Sequence, residues 1–386
     1  MSLLFYISLF LLFYAYFGYP ILLTYCAYFS KKNKHHCHDD SLDEPTISIV
    51  ITVRNEENVI REKIENTLAL PYFGQNEKVQ IIVASDASDD STDSIVAEFA
   101  NRDVLLVRSE ERLGKETAQK KAIEHATGEI IIFSDAKIEL DKKSLENFVQ
   151  YFKDPSIGAV SSLDKIKGGA FAGSGEGLYV QYEMWLRLLE SKCSSVVGLS
   201  GSCFAVRKEH AQNLDTSIPS DFSLLLATIA NKQKGIQAND VLAYYAPVAN
   251  EEDEFERKIR TVLRGITTFF KRVSVLNPFE YRFFSLQIFS HKLCRWLVPL
   301  FGITMIVSAL ALITSSILAQ IVLVGSALFF GAAYMAWKKP TLRHNKFLKI
   351  PLFFTLVNLS IAIAWFRYLT GKRSTTWSPS KKIEGN

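Results

Sequence analysis

The chain has 386 residues, of which 48% are apolar and 12% aromatic, and its net charge is only +4. That length exceeds one ordinary domain, and the apolar residues gather towards the two ends, which argues against a wholly soluble protein. No basic tract interleaved with aromatics is present, so no nucleic acid is expected as a partner, and five scattered cysteines (26, 37, 193, 203 and 294) form no disulfide framework and fit a reduced, cytosolic setting.

Residues 3–29 carry no charge. At ~1.5 Å per residue the segment can cross a hydrocarbon core of ~30 Å. It has no basic stretch before it and no small-residue cleavage site after it, so it reads as a retained transmembrane helix and not as a signal peptide. Lys31, Lys32 and Lys34 follow. Juxtamembrane lysines mark the cytoplasmic side and favour anionic headgroups, which puts residue 31 onward inside and makes membrane lipids a partner. His35, His36, Cys37 and His38 in the linker 31–44 read as a solvated segment, because no distant ligand pair completes a metal site.

After Pro45 the character changes. Residues 46–53 read TISIVITV, a β-branched run suited to a buried strand, and 57–70 has helical spacing and stops at Pro71. Further strands are expected at 79–84, 104–107 and 130–133, with helices at 95–99 and 115–126 between them. This alternation predicts a parallel, doubly wound α/β sheet. Beyond Asp141 the pattern loosens. GGAFAGSGEG at 168–177 reads as a loop before a helix from 178 to about 193, two more strands flank a helix at 221–229, and 251–271 is a charged helix. Glu176, Tyr179, Tyr182, Glu183, Arg187 and Glu190 recur at helical spacing and form either an acceptor groove or an exposed salt-bridged face.

Residues 297–318, 321–337 and 347–366 are each apolar enough to span a membrane. Three spans would put the tail outside, whereas Arg367, Lys372, Arg373, Lys381 and Lys382 favour the inside. One of the three is therefore expected to be interfacial or re-entrant, with a cytoplasmic tail. The expected plan is an anchor at 1–30, a linker at 31–44, a cytoplasmic α/β domain at 45–270, an interfacial segment at 271–296, C-terminal membrane helices at 297–370 and a basic tail at 371–386. Trp377 and Pro379 in that tail have no assignable physical role.

In open α/β sheets ligands bind beyond the carboxyl ends of the strands. Arg54, Asn55 and Glu56 follow the first strand, Asp86 the second and Asp135 the fourth. Asp and Asn are ordinary turn formers there, but turn chemistry does not require such clustering. A nucleotide diphosphate with a divalent cation accounts for the set. Asp135 is the natural ligand for Mg2+ or Mn2+. Asp86 can accept from a base or ribose, and Lys115, after Gly114 at a helix start, can meet phosphate. Arg54 is a further candidate nucleotide contact. No Walker-type loop is present, which disfavours ATPase chemistry. Asp221 opens a helix, and on local sequence alone it reads as a cap.

The blocks ISIVITVRNEE, IIVASDASDDSTD, RLGKETAQKKAI, GEIIIFSDAK and GSCFAVRKE, in that order, resemble family 2 glycosyltransferases of GT-A fold. The resemblance runs over about 45–270, and the flanking spans are similar to those of the membrane members, the cellulose, hyaluronan and poly-N-acetylglucosamine synthases. It implies a GT-A domain flanked by transmembrane helices. Glu56 and Asp86 would hold the nucleoside, Asp135 would begin the metal-binding DxD motif, and Asp221 would be the catalytic base. Arg257 and Arg260 fall at the QxxRW motif and would face the diphosphate.

Three departures stand out: Lys137 replaces the second DxD carboxylate, Ser220 the first acidic residue of the ED pair, and RKIRT lacks the Gln and Trp of QxxRW. The missing Trp argues against processive synthesis. The reading is an integral membrane enzyme with its catalytic domain in the cytoplasm. It would carry out inverting transfer from a nucleotide-diphosphate sugar, a UDP-sugar by resemblance, to a lipid-linked or glycan acceptor, with Mg2+ or Mn2+ and other glycan-assembly proteins as further partners. A processive synthase with an export path and a non-catalytic nucleotide-sugar-binding subunit are the alternatives.

Overall fold

The computed structural model describes residues 1–30, 44–167, 175–245 and 251–372. The linker lysines and the His35–Cys37–His38 cluster, most of the glycine-rich loop, and the tail with Trp377 and Pro379 lie outside the described residues. The chain forms two compact units. A sheet unit holds 30–170 and 190–249, and a helical unit holds 1–29, 171–189 and 250–374.

Among the described residues the sheet unit carries eight strands: β1 Ile47–Val53, β2 Val79–Ser85, β3 Val104–Arg108, β4 Ile130–Asp135, β5 Ile138–Leu140, β6 Ile157–Ile166, β7 Cys203–Arg207 and β8 Lys234–Tyr245. Their order is β3-β2-β1-β4-β7-β6-β8-β5. The first four are mutually parallel, as the alternation predicts. Beyond them, where the sequence pattern loosens, the sheet is mixed: β7 runs antiparallel to both β4 and β6, and β5 runs antiparallel to β8. Every residue of β1 is buried, which is why it reads as a continuous apolar run. Ile49, Ile51 and Val83 pack in one core with Ile60 and Ile64 of the helix Ile60–Leu68 and Phe148 of the helix Ser144–Phe152.

The register explains why chemistry collects at one edge. Val53 pairs with Ser85 and Thr52 with Asp135, so the carboxyl ends of β1, β2 and β4 are level. Ser134 pairs with Cys203, so antiparallel β7 begins at that same edge. Ser161 pairs with Phe204, which brings the end of β6 there too.

In the helical unit, three helices among the described residues are long and apolar enough to cross a membrane: Ser2–Phe29, Ile317–Lys338 and Phe347–Leu369. Side chains such as Ile317 and Leu328, more than 70% exposed, present apolar surface outward. Within the expected span 297–318 the helix is shorter than expected. It runs Val298–Ala311 and follows Phe283–Trp296 at a bend of 58°, a broken span or a re-entrant pair that takes in much of the segment expected to be interfacial. Pro299 in the first turn of the second helix cannot donate a backbone hydrogen bond, so the helix restarts there. Ser316 accepts from Ala319 N–H at 3.3 Å and starts the next helix earlier than expected, at Ile317.

Pro20 acts similarly in the first helix, which contains a π-helical stretch at Tyr14–Gly18. Proline has no N–H for the carbonyl of Tyr16, and the Tyr182 hydroxyl donates to that oxygen at 2.9 Å instead. Tyr182 and Glu183, expected on a solvated face or a groove, therefore line a packed cluster. Glu183 bonds His291 at 3.0 Å and Arg295, whose guanidinium lies over the rings of Tyr16 and Tyr182. The helix Glu251–Lys271 is amphipathic. Ile259, Leu263 and Ile266 pack with Ala364, while Arg257 is exposed and Arg260 half-buried.

Candidate active site at the sheet edge

Asp86 stands one residue beyond β2, its N–H donating to Val53 O at 3.0 Å. Its side chain is 1% exposed. Oδ1 accepts from the N–H groups of Leu113 and Gly114 at 2.9 and 3.0 Å. Gly114 has φ +98°, open to glycine but strained for other residues, which lets the chain turn into the helix Lys115–His125 while both N–H groups face Asp86. Oδ2 is buried and has no hydrogen-bond partner among the described residues. A buried carboxylate oxygen left this way costs free energy unless a ligand donor meets it.

Arg54 is spoken for. Its guanidinium donates to the carbonyls of Asp86, at 2.8 Å, and Ala87, and it lies 3.3 Å from Asp89. It therefore holds the loop that carries Asp86. Asn55, at φ +52°, ties the same loop through Asp89, and Glu56 N–H bonds Thr92 Oγ1 at 2.8 Å. Glu56 is buried, and its carboxylate lies 3.1 Å from the Lys137 ammonium.

Lys115 sits in the first helical turn, as expected, but its Nζ donates to Asp135 Oδ1 at 2.6 Å and to Gly201 O at 2.9 Å. Asp135 N–H donates to Ser202 O at 2.9 Å. The loop Ser200–Gly201–Ser202 is thus bound to Asp135 from both sides. Asp164, which the sequence reading did not single out, organises that loop. Its Oδ2 accepts from the hydroxyls of Ser200 and Ser202, each at 2.6 Å, and its Oδ1 from Ser162 at 2.7 Å. Its only sequence signal is a lone carboxylate at the end of a strand.

Asp221 approaches from the helix Ser220–Ala230. The N-cap of that helix is Pro219, no side chain caps it, and Asp221 lies in the first turn, so the capping alternative does not hold. Its Oδ2 is 4.0 Å from the point where a β-carbon on Gly201 would stand. Asp86, Lys115, Asp135, Gly201 and Asp221 therefore share one edge of the sheet unit. Arg257 and Arg260 belong to the helical unit, and their expected place at the diphosphate rests on the resemblance alone.

Lys63 was also missed, since it reads as a surface lysine on an amphipathic helix. It is buried beneath Asp135, and its Nζ donates to Ser134 Oγ at 2.8 Å and Ile138 O at 2.6 Å. Burial pushes its ammonium down to about 8, against the pull of Asp135 and Glu139.

Around Asp135 the donor set is sparse. Among the described residues no three His, Cys, Asp or Glu side chains are grouped as a metal site. One carboxylate is in place, and it is bridged to Lys115.

Residues 48–214 match the profile of Glycosyl transferase family 2. A poly-beta-1,6-N-acetyl-D-glucosamine synthase of Staphylococcus aureus is 30% identical over 166 residues, which are 41% of this chain and 39% of that protein. The Staphylococcus epidermidis enzyme of the same name is 29% identical over 123 residues, 31% of this chain and 29% of its own length. The match thus spans well under half of these relatives. Among solved structures, a mannosyltransferase from Pyrobaculum calidifontis in complex with GDP-Man and Mn2+ has a TM-score of 0.71 at 24% identity, over 96% of this chain and 100% of that one. At that identity the likeness establishes the fold, a GT-A-like sheet domain with long apolar helices at both ends of the chain.

Proposed function

Taking as its premise that the sheet domain belongs to the family 2 glycosyltransferases, we propose that this chain transfers a sugar, with inversion, from a nucleotide-diphosphate donor to an acceptor at a membrane. The observation that carries the reading is the convergence of Asp86, Asp135 and Asp221 on one sheet edge, with a buried oxygen of Asp86 that has no hydrogen-bond partner among the described residues.

In this reaction Asp86 Oδ2 accepts an N–H or O–H of the nucleoside. Asp221 takes the proton of the acceptor hydroxyl as its oxygen bonds to the anomeric carbon. The anomeric carbon–oxygen bond to the diphosphate breaks on the opposite side, and the electron pair leaves with the nucleoside diphosphate. Lys115 holds Asp135 and the 200–202 loop in place against that charge. A UDP-sugar is the donor by analogy with the synthases, and a lipid-linked or glycan acceptor follows from the apolar helices. Mn2+ accompanies the donor in the solved mannosyltransferase. Here a divalent cation at the DxD position would find one of its two carboxylates, Asp135, already engaged by Lys115, with Lys137 in place of the other, so the described residues do not fit the two-carboxylate grip and no step is assigned to a metal.

Nucleotide release from the detergent-solubilised full chain, offered a panel of UDP- and GDP-sugars with membrane lipid extract, tests the reading. Donor-specific release that Asp221→Asn lowers by about 10²-fold or more supports it. Nucleotide binding with no turnover of any donor would instead favour a non-catalytic subunit.

A further inference from the structure

Lys137 stands where the family pattern has a carboxylate, and its backbone is fixed. The turn Asp135–Ala136–Lys137 joins β4 to β5. Lys63 bonds the residue on each side of it, Ser134 and Ile138, and Asp135 N–H bonds Ser202 O. From that turn the Lys137 ammonium reaches 3.1 Å from Glu56 Oε2, with 23% of the lysine side chain exposed and 5% of the glutamate. Asp135 faces Lys115 at 2.6 Å. Glu56 and Asp135 therefore each already face an ammonium.

Charge counting gives the substitution its meaning. An aspartate at 137 would add a third carboxylate beside Glu56 and Asp135, and a diphosphate entering such a site needs a dication to offset the repulsion. A lysine there changes the local charge by two elementary charges, the charge carried by one Mg2+ or Mn2+. Lysine binds phosphate as a point charge on a long flexible stem, so Lys137 can pass from Glu56 to a phosphate oxygen without backbone movement.

We propose that Lys137 is the cation that meets the donor's diphosphate, so that this chain binds nucleoside diphosphates without a divalent metal. The inference rests on the transferase reading, and the two are separable by experiment. Titration calorimetry of the detergent-solubilised full chain with UDP and with GDP would be run in EDTA and in Mn2+. Affinity that agrees within about threefold between the two conditions is expected, since no metal enters the linkage. Lys137→Arg should keep that behaviour. Lys137→Asp should lose about tenfold or more in EDTA and regain it with Mn2+, the size of a charge-assisted hydrogen bond. Wild-type binding that appears only with Mn2+ overturns the proposal and leaves the transferase reading standing. Binding of neither nucleotide in either condition overturns both. The wild-type comparison needs no variant, so the result does not hang on whether Lys137→Asp folds.

Discussion

Replacing Lys63 with methionine should change how stability depends on pH more than stability itself. The side chain is 3% exposed and its ammonium titrates at about 8 in the fold, against an ordinary 10.5. At ~1.4 kcal/mol per pH unit, that gap of about 2.5 units corresponds to ~3 kcal/mol. Below pH 8 both the folded and the unfolded chain hold the proton, and the fold bears the whole cost of a buried charge. Between pH 8 and 10.5 the folded state has released its proton while the unfolded chain has not, so stability rises with pH. Lys63→Met removes that rise. Near pH 7 the relief of burying no charge is offset by stripping Ser134 Oγ and Ile138 O of a donor, at ~1–3 kcal/mol each, so the two proteins should melt close together. The assay is thermal unfolding of the sheet unit followed in detergent from pH 7 to 10.5. Subtracting the variant from the wild type cancels the other lysines. The difference should grow by ~3 kcal/mol, or ~6–12 °C in Tm for a unit of this size. Parallel curves over that range would refute the buried ammonium.

Asp86→Asn should weaken UDP binding by about 10- to 100-fold with little change in Tm, because the amide oxygen still accepts from Leu113 and Gly114; calorimetry with a melting control checks both. Asp164→Ala removes the acceptor of three serine hydroxyls and should lower stability by ~2–4 kcal/mol while reducing turnover, read by denaturant titration and nucleotide release. Gly128→Ala should be the most damaging single methyl. Its β-carbon would stand 2.3 Å from the backbone nitrogen of Ser48, which cannot yield, so a loss of ~3 kcal/mol or more or failure to express is expected. Tyr182→Phe leaves the Tyr16 carbonyl without its hydroxyl donor and should cost ~1–3 kcal/mol, measured as the detergent-solubilised chain's melting shift.

The parallel half of the sheet was legible because β1, β2 and β4 are buried on both faces and so read as unbroken apolar runs. β6 was not. Its IGAVSSLDKI buries Ser161 and Ser162 and half-buries Asp164; Ser161 and Asp164 bond the 200–202 loop and Ser162 bonds Asp164, and polar residues with tertiary partners look like loop until those partners are known. β5 is three residues long and exists through its pairing with β8, a contact no local pattern encodes. Strand-end carboxylates were visible as candidates, but their engagement was not. Arg54 reads as a ligand contact and turns out to brace a loop, and Lys115 reads as a phosphate anchor and binds Asp135. Such pairings depend on a register set by strands far apart in sequence. Along the membrane-type helices, composition located the apolar segments, whereas Pro299 and the Ser316 cap moved their ends.

The first helix has a consequence for how the chain is made. Tyr14 bonds Ser290, 276 residues further on, Phe5 packs with Ala309 and Ala319, and the Tyr16 carbonyl waits for Tyr182. A ribosome therefore delivers this helix ahead of Tyr182, and Ser290, Ala309 and Ala319 follow only after the last described strand. All eight described strands have emerged once Tyr245 is out, so the sheet unit can fold during synthesis while the helical unit is still half written. A nascent chain that stalls between Tyr245 and Ser290 would hold every described strand and a helix whose partners Ser290, Ala309 and Ala319 are still unmade.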